Sequence, residues 1–394
     1  MNPTIFVIIG LAVAIIAFWA AVAVKAKKRG GTSSASTSDT HVYVDRDKET
    51  AKLLKLAEMG DAEAQYKLAQ TYQFKESGKY MYWLEKAAEQ DYEKAIRELA
   101  DEYDYGSTAA VPPIKKDRKK AIECFTRLAD KGDAEAMNRI SLIYYVEYHD
   151  DEKGREWKEK AANAGDIEAM IELGNDYRLI EDIEDFDKSE QWYKKAADLG
   201  SGDAMKGLGD LYCYDEKRSD YFKAESWYKK AVAAGDYFAY VRLGEMCKEG
   251  KGRAKDLNAA FEYFKKAADN GEVYGKIHMA EAYLSGAGVE KDPKKGISIL
   301  EAATKESSIA KYRLGLCYYE GNGVEKDYKR AVQLFEGCHK YDRDAQYKLG
   351  ECYYNGYGVK ADKEKAKELW RQSAKYGNED AAECLKIYFG ETAE

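Results

Sequence analysis

The chain restates one phrase, a small residue, a large apolar one and an aromatic at four-residue intervals, about every 35 residues. It reads Ala64, Leu68, Tyr72; Ala95, Leu99, Tyr103; Ala136, Ile140, Tyr144; Ala169, Leu173, Tyr177; and Ala204, Leu208, Tyr212. Five further copies drift: Ala239, Leu243, Cys247; Gly275, Met279, Tyr283; Ala310, Leu314, Tyr318; Ala345, Leu349, Tyr353; and Ala381, Leu385, Phe389. The central positions lie 31, 41, 33, 35, 35, 36, 35, 35 and 36 residues apart. A period of that size belongs to a stacked repeat array and not to a single globular core. Function in an array of this kind is carried by an extended surface.

Each copy predicts a pair of helices. Three apolar residues spaced by four share one helical face, and that face needs a second helix to bury it. Its start is marked by Asp117, Asp220, Asp256, Asp292, Asp327 and Asp362, each followed four residues later by Ala or Gly. An Asp at that place caps the free amides of the first turn, and Pro293 suits the first helical position. The second helices run out on small residues and a glycine, at Gly165, Gly200, Gly235 and Gly271. A glycine there takes the left-handed conformation that ends a helix.

The pattern Ala-x-x-x-Leu-Gly-x-x-Tyr, a Gly-x-Gly-Val turn, Asp, and a closing Ala-Ala-x-x-Gly resembles the Sel-one-like repeat, a relative of the tetratricopeptide repeat. The clearest copies run from Ala310 through Gly321, Gly323 and Asp327, and from Ala345 through Gly356, Gly358 and Asp362. Before residue 200 the pattern loosens, with an insertion over 106–113 and acidic loops at 149–152 and 181–185. The resemblance implies an all-α solenoid of about nine helix-turn-helix units, wound as a right-handed superhelix and used for protein contacts, with no catalytic residues. Single helices expected at 48–59 and 378–390 read as half-units that cap the array.

Thr4 to Val24 is 21 residues without a charge, about 32 Å of helix, which matches a bilayer core. Trp19 lies near one end, and Lys25, Lys27, Lys28 and Arg29 follow at once. The positive-inside rule then places the N-terminus outside and the repeats in the cytoplasm, as a single-pass protein of a bacterial inner membrane. Ala21-Val22-Ala23 keeps open a cleaved leader and a periplasmic or secreted product cut near Ala23. The expected organisation is an anchor with basic flank over 1–29, a flexible linker over 30–47, and the solenoid over 48–394.

Composition excludes several classes. The formal charge is −8, and the first 31 residues hold four cations and no anion, so the remainder stands at −12. An acidic body lacks the basic footprint that nucleic acid needs, and it should be repelled by anionic lipid, leaving membrane contact to residues 4–24. Seven cysteines do not pair within units and read as buried thiols. Gly-x-Gly recurs at 250/252, 286/288, 321/323 and 356/358, at the repeat period, which marks interhelical turns and not a nucleotide loop. His41, His149, His278 and His339 are scattered without zinc spacing, so no metal or cofactor is expected. Cys338 and His339, with Asp342, point in different directions on a helix and make no nucleophile-base pair.

What remains is surface. Positions two before and five after each central Leu lie about 160° and 140° from the buried direction and form one stripe. In the last three full units that stripe is apolar or aromatic: Ile277 and Leu284, Tyr312 and Tyr319, Tyr347 and Tyr354. These six are the expected partner groove. The acidic loops at 149–152 and 181–187 are the fallback, suited to a basic partner. The chain is thus expected to be a membrane-tethered adaptor that holds a protein or peptide. An immunity or inhibitor protein that wraps a toxin is the alternative, and an enzyme with an unrecognised site is a third reading that no residue favours.

Overall fold

The computed structural model describes residues 39–391 apart from 109, 111, 216, 217 and 341. These residues form twenty α-helices, joined by turns and one isolated β-bridge. They fall into two compact units that divide between Asp185 and Phe186. The first holds α1 (Asp39–Glu58), α2 (Ala62–Tyr72), α3 (Ser77–Glu89), α4 (Glu93–Tyr105), α5 (Arg118–Ala129), α6 (Ala134–Ile143), α7 (Asp151–Asn163) and α8 (Ile167–Leu179). The second begins with α9 (Phe186–Asp198), α10 (Gly202–Tyr214), α11 (Tyr221–Ala233), α12 (Phe238–Glu249), α13 (Leu257–Asp269) and α14 (Val273–Ser285). It ends with α15 (Pro293–Ala303), α16 (Ser308–Glu320), α17 (Tyr328–Glu336), α18 (Arg343–Asn355), α19 (Lys363–Lys375) and α20 (Glu379–Phe389). From α2 onward, even-numbered helices carry the Ala-Leu-Tyr phrase and odd-numbered ones are their second helices.

All six expected Asp caps form. The carboxylates of Asp117, Asp220, Asp256, Asp292, Asp327 and Asp362 accept the amide three residues on at 2.9–3.1 Å. A second bond at the same place was not legible in the sequence. The residue before each second helix donates its own backbone N–H to the carbonyl of the last residue of the phrase. Glu76 bonds Tyr72, Asp117 bonds Tyr103, Asp256 bonds Cys247 and Asp362 bonds Tyr353, with all nine junctions at 2.7–3.0 Å. The intervening loops range from a tight turn after Tyr72 to the insertion after Tyr103. That insertion is closed on itself by a two-way backbone bridge between Ser107 and Ile114, at 2.9 Å each way.

Several helix pairs meet over a bare glycine. In α16 a Cβ on Gly315 would lie 2.6 Å from the Phe335 ring of α17, and in α12 one on Gly244 would lie 2.5 Å from the Phe264 ring of α13. The ring therefore occupies the space a side chain would need. Units then stack through their turns. Gly323 has φ +78°, and a Cβ there would lie 2.6 Å from Leu284 of the preceding unit. Six cysteines are buried and Cys384 is half-buried, all as free thiols.

One boundary differs from expectation. The first helix starts at Asp39, inside the segment read as a linker; no glycine or proline interrupts residues 32–59, so nothing local stops the helix extending back. The apolar stretch Thr4–Val24 lies outside the described residues. No described helix is long and apolar enough to cross a membrane.

Gly→Ala in a helix ordinarily adds about 1 kcal/mol of stability. Gly78 in α3 has nothing within 4 Å of its missing Cβ, so Gly78→Ala should stabilise. Gly315→Ala should reverse sign and cost about 1–2 kcal/mol, because overpacking outweighs propensity. Hydrogen exchange in α3 and in α16–α17 reads both; equal signs at the two sites would refute the ring-on-glycine account.

Candidate partner-binding surface

Two of the six residues of the expected groove lie inside the core. Ile277 and Leu284 are 2% and 5% exposed and pack with Ile297, Leu300 and Leu314 in one core cluster. They cannot touch a partner. The reason is that a first helix inside an array has neighbours on two sides: its own second helix, and the next unit. The direction opposite the central Leu is therefore filled and not wet. Tyr312, Tyr319, Tyr347 and Tyr354 are half-buried. Tyr312 lies 6.0 Å from Phe335, and Tyr319 lies 5.3 Å from Tyr328 and 6.3 Å from Tyr357 of the next turn. The Trp370 indole donates to the Tyr347 carbonyl at 3.1 Å, and Tyr354 packs against Tyr388 and Trp370 at 4.6 and 5.4 Å.

In several first helices the residues one before and two after the central position are polar and half-buried: Glu98 and Asp101, Arg242 and Glu245, His278 and Glu281. In the second unit these positions build a ladder of alternating charge. Arg242 in α12 reaches Asp210 in α10 at 3.1 Å and Glu245 on its own helix at 3.0 Å. His278 in α14 stands 3.7 Å from Glu245 and 3.2 Å from Glu281, and Arg313 in α16 closes the ladder on Glu281 at 3.3 Å. The His278 ring also stacks on Phe264 at 4.6 Å. The ladder's charged residues recur in the sequence at the repeat spacing, but apolar periodicity does not report which charges meet.

In the first unit α4 carries acidic residues at these positions, Glu98 and Asp101, with Glu102 beside them, and they are less well matched. Glu98 in α4 accepts from neutral donors: Gln70 at 2.7 Å, Gln73 at 3.2 Å and the Tyr80 hydroxyl at 2.7 Å. Tyr80 also donates to Glu102 at 3.1 Å. Asp101 meets Arg139 at 3.7 Å. Among the described residues neither Glu98 nor Glu102 has a cationic partner. Burial pushes the Asp101 and Glu102 carboxyls above their ordinary values, and neighbouring carboxylates push the same way. This half of the array also holds the acidic excess: residues 32–185 contain 23 basic and 35 acidic side chains.

The cysteine and histidine neighbours make no reactive pair. Cys338 points into the helix, its Sγ 3.3 Å from the Leu334 carbonyl, while His339 Nδ1 faces the Glu336 carbonyl. Burial and then Asp342 push the Cys338 thiol up to about 12, so it carries no thiolate. Among the described residues no group of three or more His, Cys, Asp or Glu is placed to hold a metal.

Helical hairpins at this period, joined by this cap and turn, define an α-solenoid repeat protein. The Sel1 repeat pattern matches residues 62–78, 81–92, 93–133, 134–166, 167–201, 202–236, 238–272, 274–307, 308–336 and 343–378. The chain belongs to the Sel1 repeat family, whose fold is typical of protein-interaction scaffolds. A Sel1 repeat protein from Oxalobacter formigenes is similar in structure, with 27% identity and TM-score 0.54 over 78% of this chain and 90% of that one. A protective antigen of uropathogenic Escherichia coli with an SLR fold shares 24% identity at TM-score 0.37, covering 87% and 91%. An immunity protein of Pseudomonas aeruginosa shares 21% at TM-score 0.28, covering 53% and 82%. At such TM-scores the last two carry no functional argument. Among curated proteins no sequence matches significantly.

The ladder has a definite pH response. Burial opposes the imidazolium of His278, but Glu245 and Glu281 outweigh it and raise its value above 6.5. Both carboxyls, despite their own desolvation, are held below 4.5 by His278 and by Arg242 or Arg313, with Lys248 adding to Glu281. The imidazolium contribution is complete below pH 6.5 and fades as pH rises through the raised value; the carboxylate contributions are complete above 4.5 and fade as pH falls. Hydrogen-exchange protection of α12 and α14, corrected for intrinsic rates, should therefore peak between about pH 4.5 and 6.5. His278→Gln should abolish the fall on the alkaline side. An unchanged profile in the variant would detach His278 from the ladder.

Proposed function

We propose that this protein is a membrane-tethered scaffold that holds a basic segment of a protein partner on the first-helix face of residues 39–185. The observation that carries the reading is the set of half-buried carboxylates of Glu98, Asp101 and Glu102, two of which receive only neutral hydrogen bonds. A lysine or arginine supplied by a partner completes such a site. The charge couplings measured at protein interfaces are large enough to set affinity. Tyr312, Tyr319, Tyr347 and Tyr354 each keep part of a ring accessible and offer secondary contacts.

The tether is read from the uncharged run Thr4–Val24 and the four cations that follow it. That order favours an uncleaved anchor with its N-terminus outside and the repeats in the cytoplasm. Protease added to intact spheroplasts should then leave the array whole. Digestion of the array, or a mature N-terminus near Val24, would reverse the topology.

The site is tested with detergent-solubilised full chain as bait, followed by mass spectrometry of what it retains. The partner should be released by salt, and Glu98→Gln with Asp101→Asn and Glu102→Gln should weaken it by roughly tenfold or more. A triple variant that melts normally and binds as tightly as the parent places the contact elsewhere, with Tyr319→Ala and Tyr354→Ala as the next comparison.

A further inference from the structure

The acidic excess that should repel anionic lipid is confined to one half of the chain. Residues 186–394 hold 36 basic and 36 acidic side chains. Within that unit charge separates by helix type. The second helices α9, α11, α13, α15, α17 and α19 carry 17 basic against 10 acidic residues, whereas α10, α12, α14, α16, α18 and α20 carry 9 against 11.

The surplus cations are accessible. Lys230, Lys265, Lys266, Lys294 and Lys329 are exposed, and among the described residues none of them is ion-paired. Half-buried rings recur beside them at the repeat spacing. Trp192, Trp227 and Tyr263 each lie beneath the ammonium of the Lys three residues on, at 3.9, 3.8 and 5.4 Å. Phe222, at the start of α11, is 77% exposed. Between α9 and α11 the surface opens into a recess of about 510 Å³ that sets the rings of Phe186, Tyr212 and Trp227 beside Lys194, Arg218, Lys223 and Glu190, with Lys194 paired to Glu190 at 2.8 Å and Arg218 to Asp187 at 2.6 Å. Basic side chains interleaved with aromatic ones are the composition of helices that lie on a lipid headgroup layer.

We propose that the second-helix face of residues 186–375 docks on an anionic lipid bilayer. The inference rests on the anchor reading of Thr4–Val24, which keeps the array within reach of a leaflet. Each lysine brought near an anionic leaflet strengthens binding about fivefold. Tethering makes the encounter intramolecular, so a face too weak to bind from solution still engages. The first-helix face, with its acidic residues in the other unit, is left for the protein partner.

The full chain is reconstituted into bilayers of phosphatidylcholine alone or with phosphatidylglycerol, and lysine acylation rates are read by mass spectrometry. Anionic bilayers should slow acylation of Lys230, Lys265, Lys266 and Lys294 several-fold, and high salt should restore it. K230E/K266E, with an unchanged melt, should return Lys265 and Lys294 to the rates seen in neutral lipid. Equal rates in the two lipids overturn the proposal. So does slowing that appears without lipid as protein concentration rises, because that assigns the face to acidic residues of a second copy. If the chain fails to insert, the anchor reading falls instead. The same lipids offered as vesicles to the chain in solution then read the face directly, by co-sedimentation and the same lysine rates.

Discussion

The hydrogen bond from the residue before each second helix to the last residue of the Ala-Leu-Tyr phrase is what the rest of the structure depends on. A helix N-terminus has free amides and a helix C-terminus has free carbonyls. Each satisfies the other at these junctions, so the ends of two helices are pinned together whatever lies between them. That is why a tight turn after Tyr72 and a long insertion after Tyr103 yield the same hairpin. Once the ends are pinned, the register of the pair follows. Phe335 lands on Gly315 and Phe264 on Gly244, and every surface position recurs at the repeat spacing.

Recurrence turns isolated charges into lines. Asp210, Arg242, Glu245, His278, Glu281 and Arg313 come from four helices of one unit, yet each meets the next because the helices are copies in register. Such half-buried pairs add modest stability individually. Their effect is to make that stretch electrically self-satisfied, with little attraction left for a partner. Glu98 and Glu102 occupy related positions in the other unit without that compensation. The two surfaces therefore differ in chemistry although their backbones repeat.

The second helices contribute a different surface. In α11, α13, α17 and α19 Ala stands four residues after the cap, and the rings of Tyr228, Phe264, Phe335 and Trp370 rest on glycines of the first helices. In residues 186–375 the second helices carry 17 basic against 10 acidic residues, with aromatic rings under several of the lysines. The carboxylates of α4 and the basic residues of the second helices thus lie on different helix layers of the hairpins.

What could be read from the chain alone was whatever depends on neighbours in sequence. The repeat period, the pairing of helices, the six Asp caps and the glycine ends at Gly165, Gly200, Gly235 and Gly271 all follow from residues within one turn of each other, and each stands where expected. The surface was misjudged where the answer depends on the next unit. Ile277 and Leu284 share a helical phase opposite the central Met279, but the following repeat closes over that phase, and a helical wheel has no term for a neighbour some 35 residues away. The charge ladder and the unmatched carboxylates of α4 belong to the same class. Their residues were visible in the sequence, but only the stacking of units decides which of them meet, because a salt bridge depends on a few ångströms between helices that local periodicity does not set.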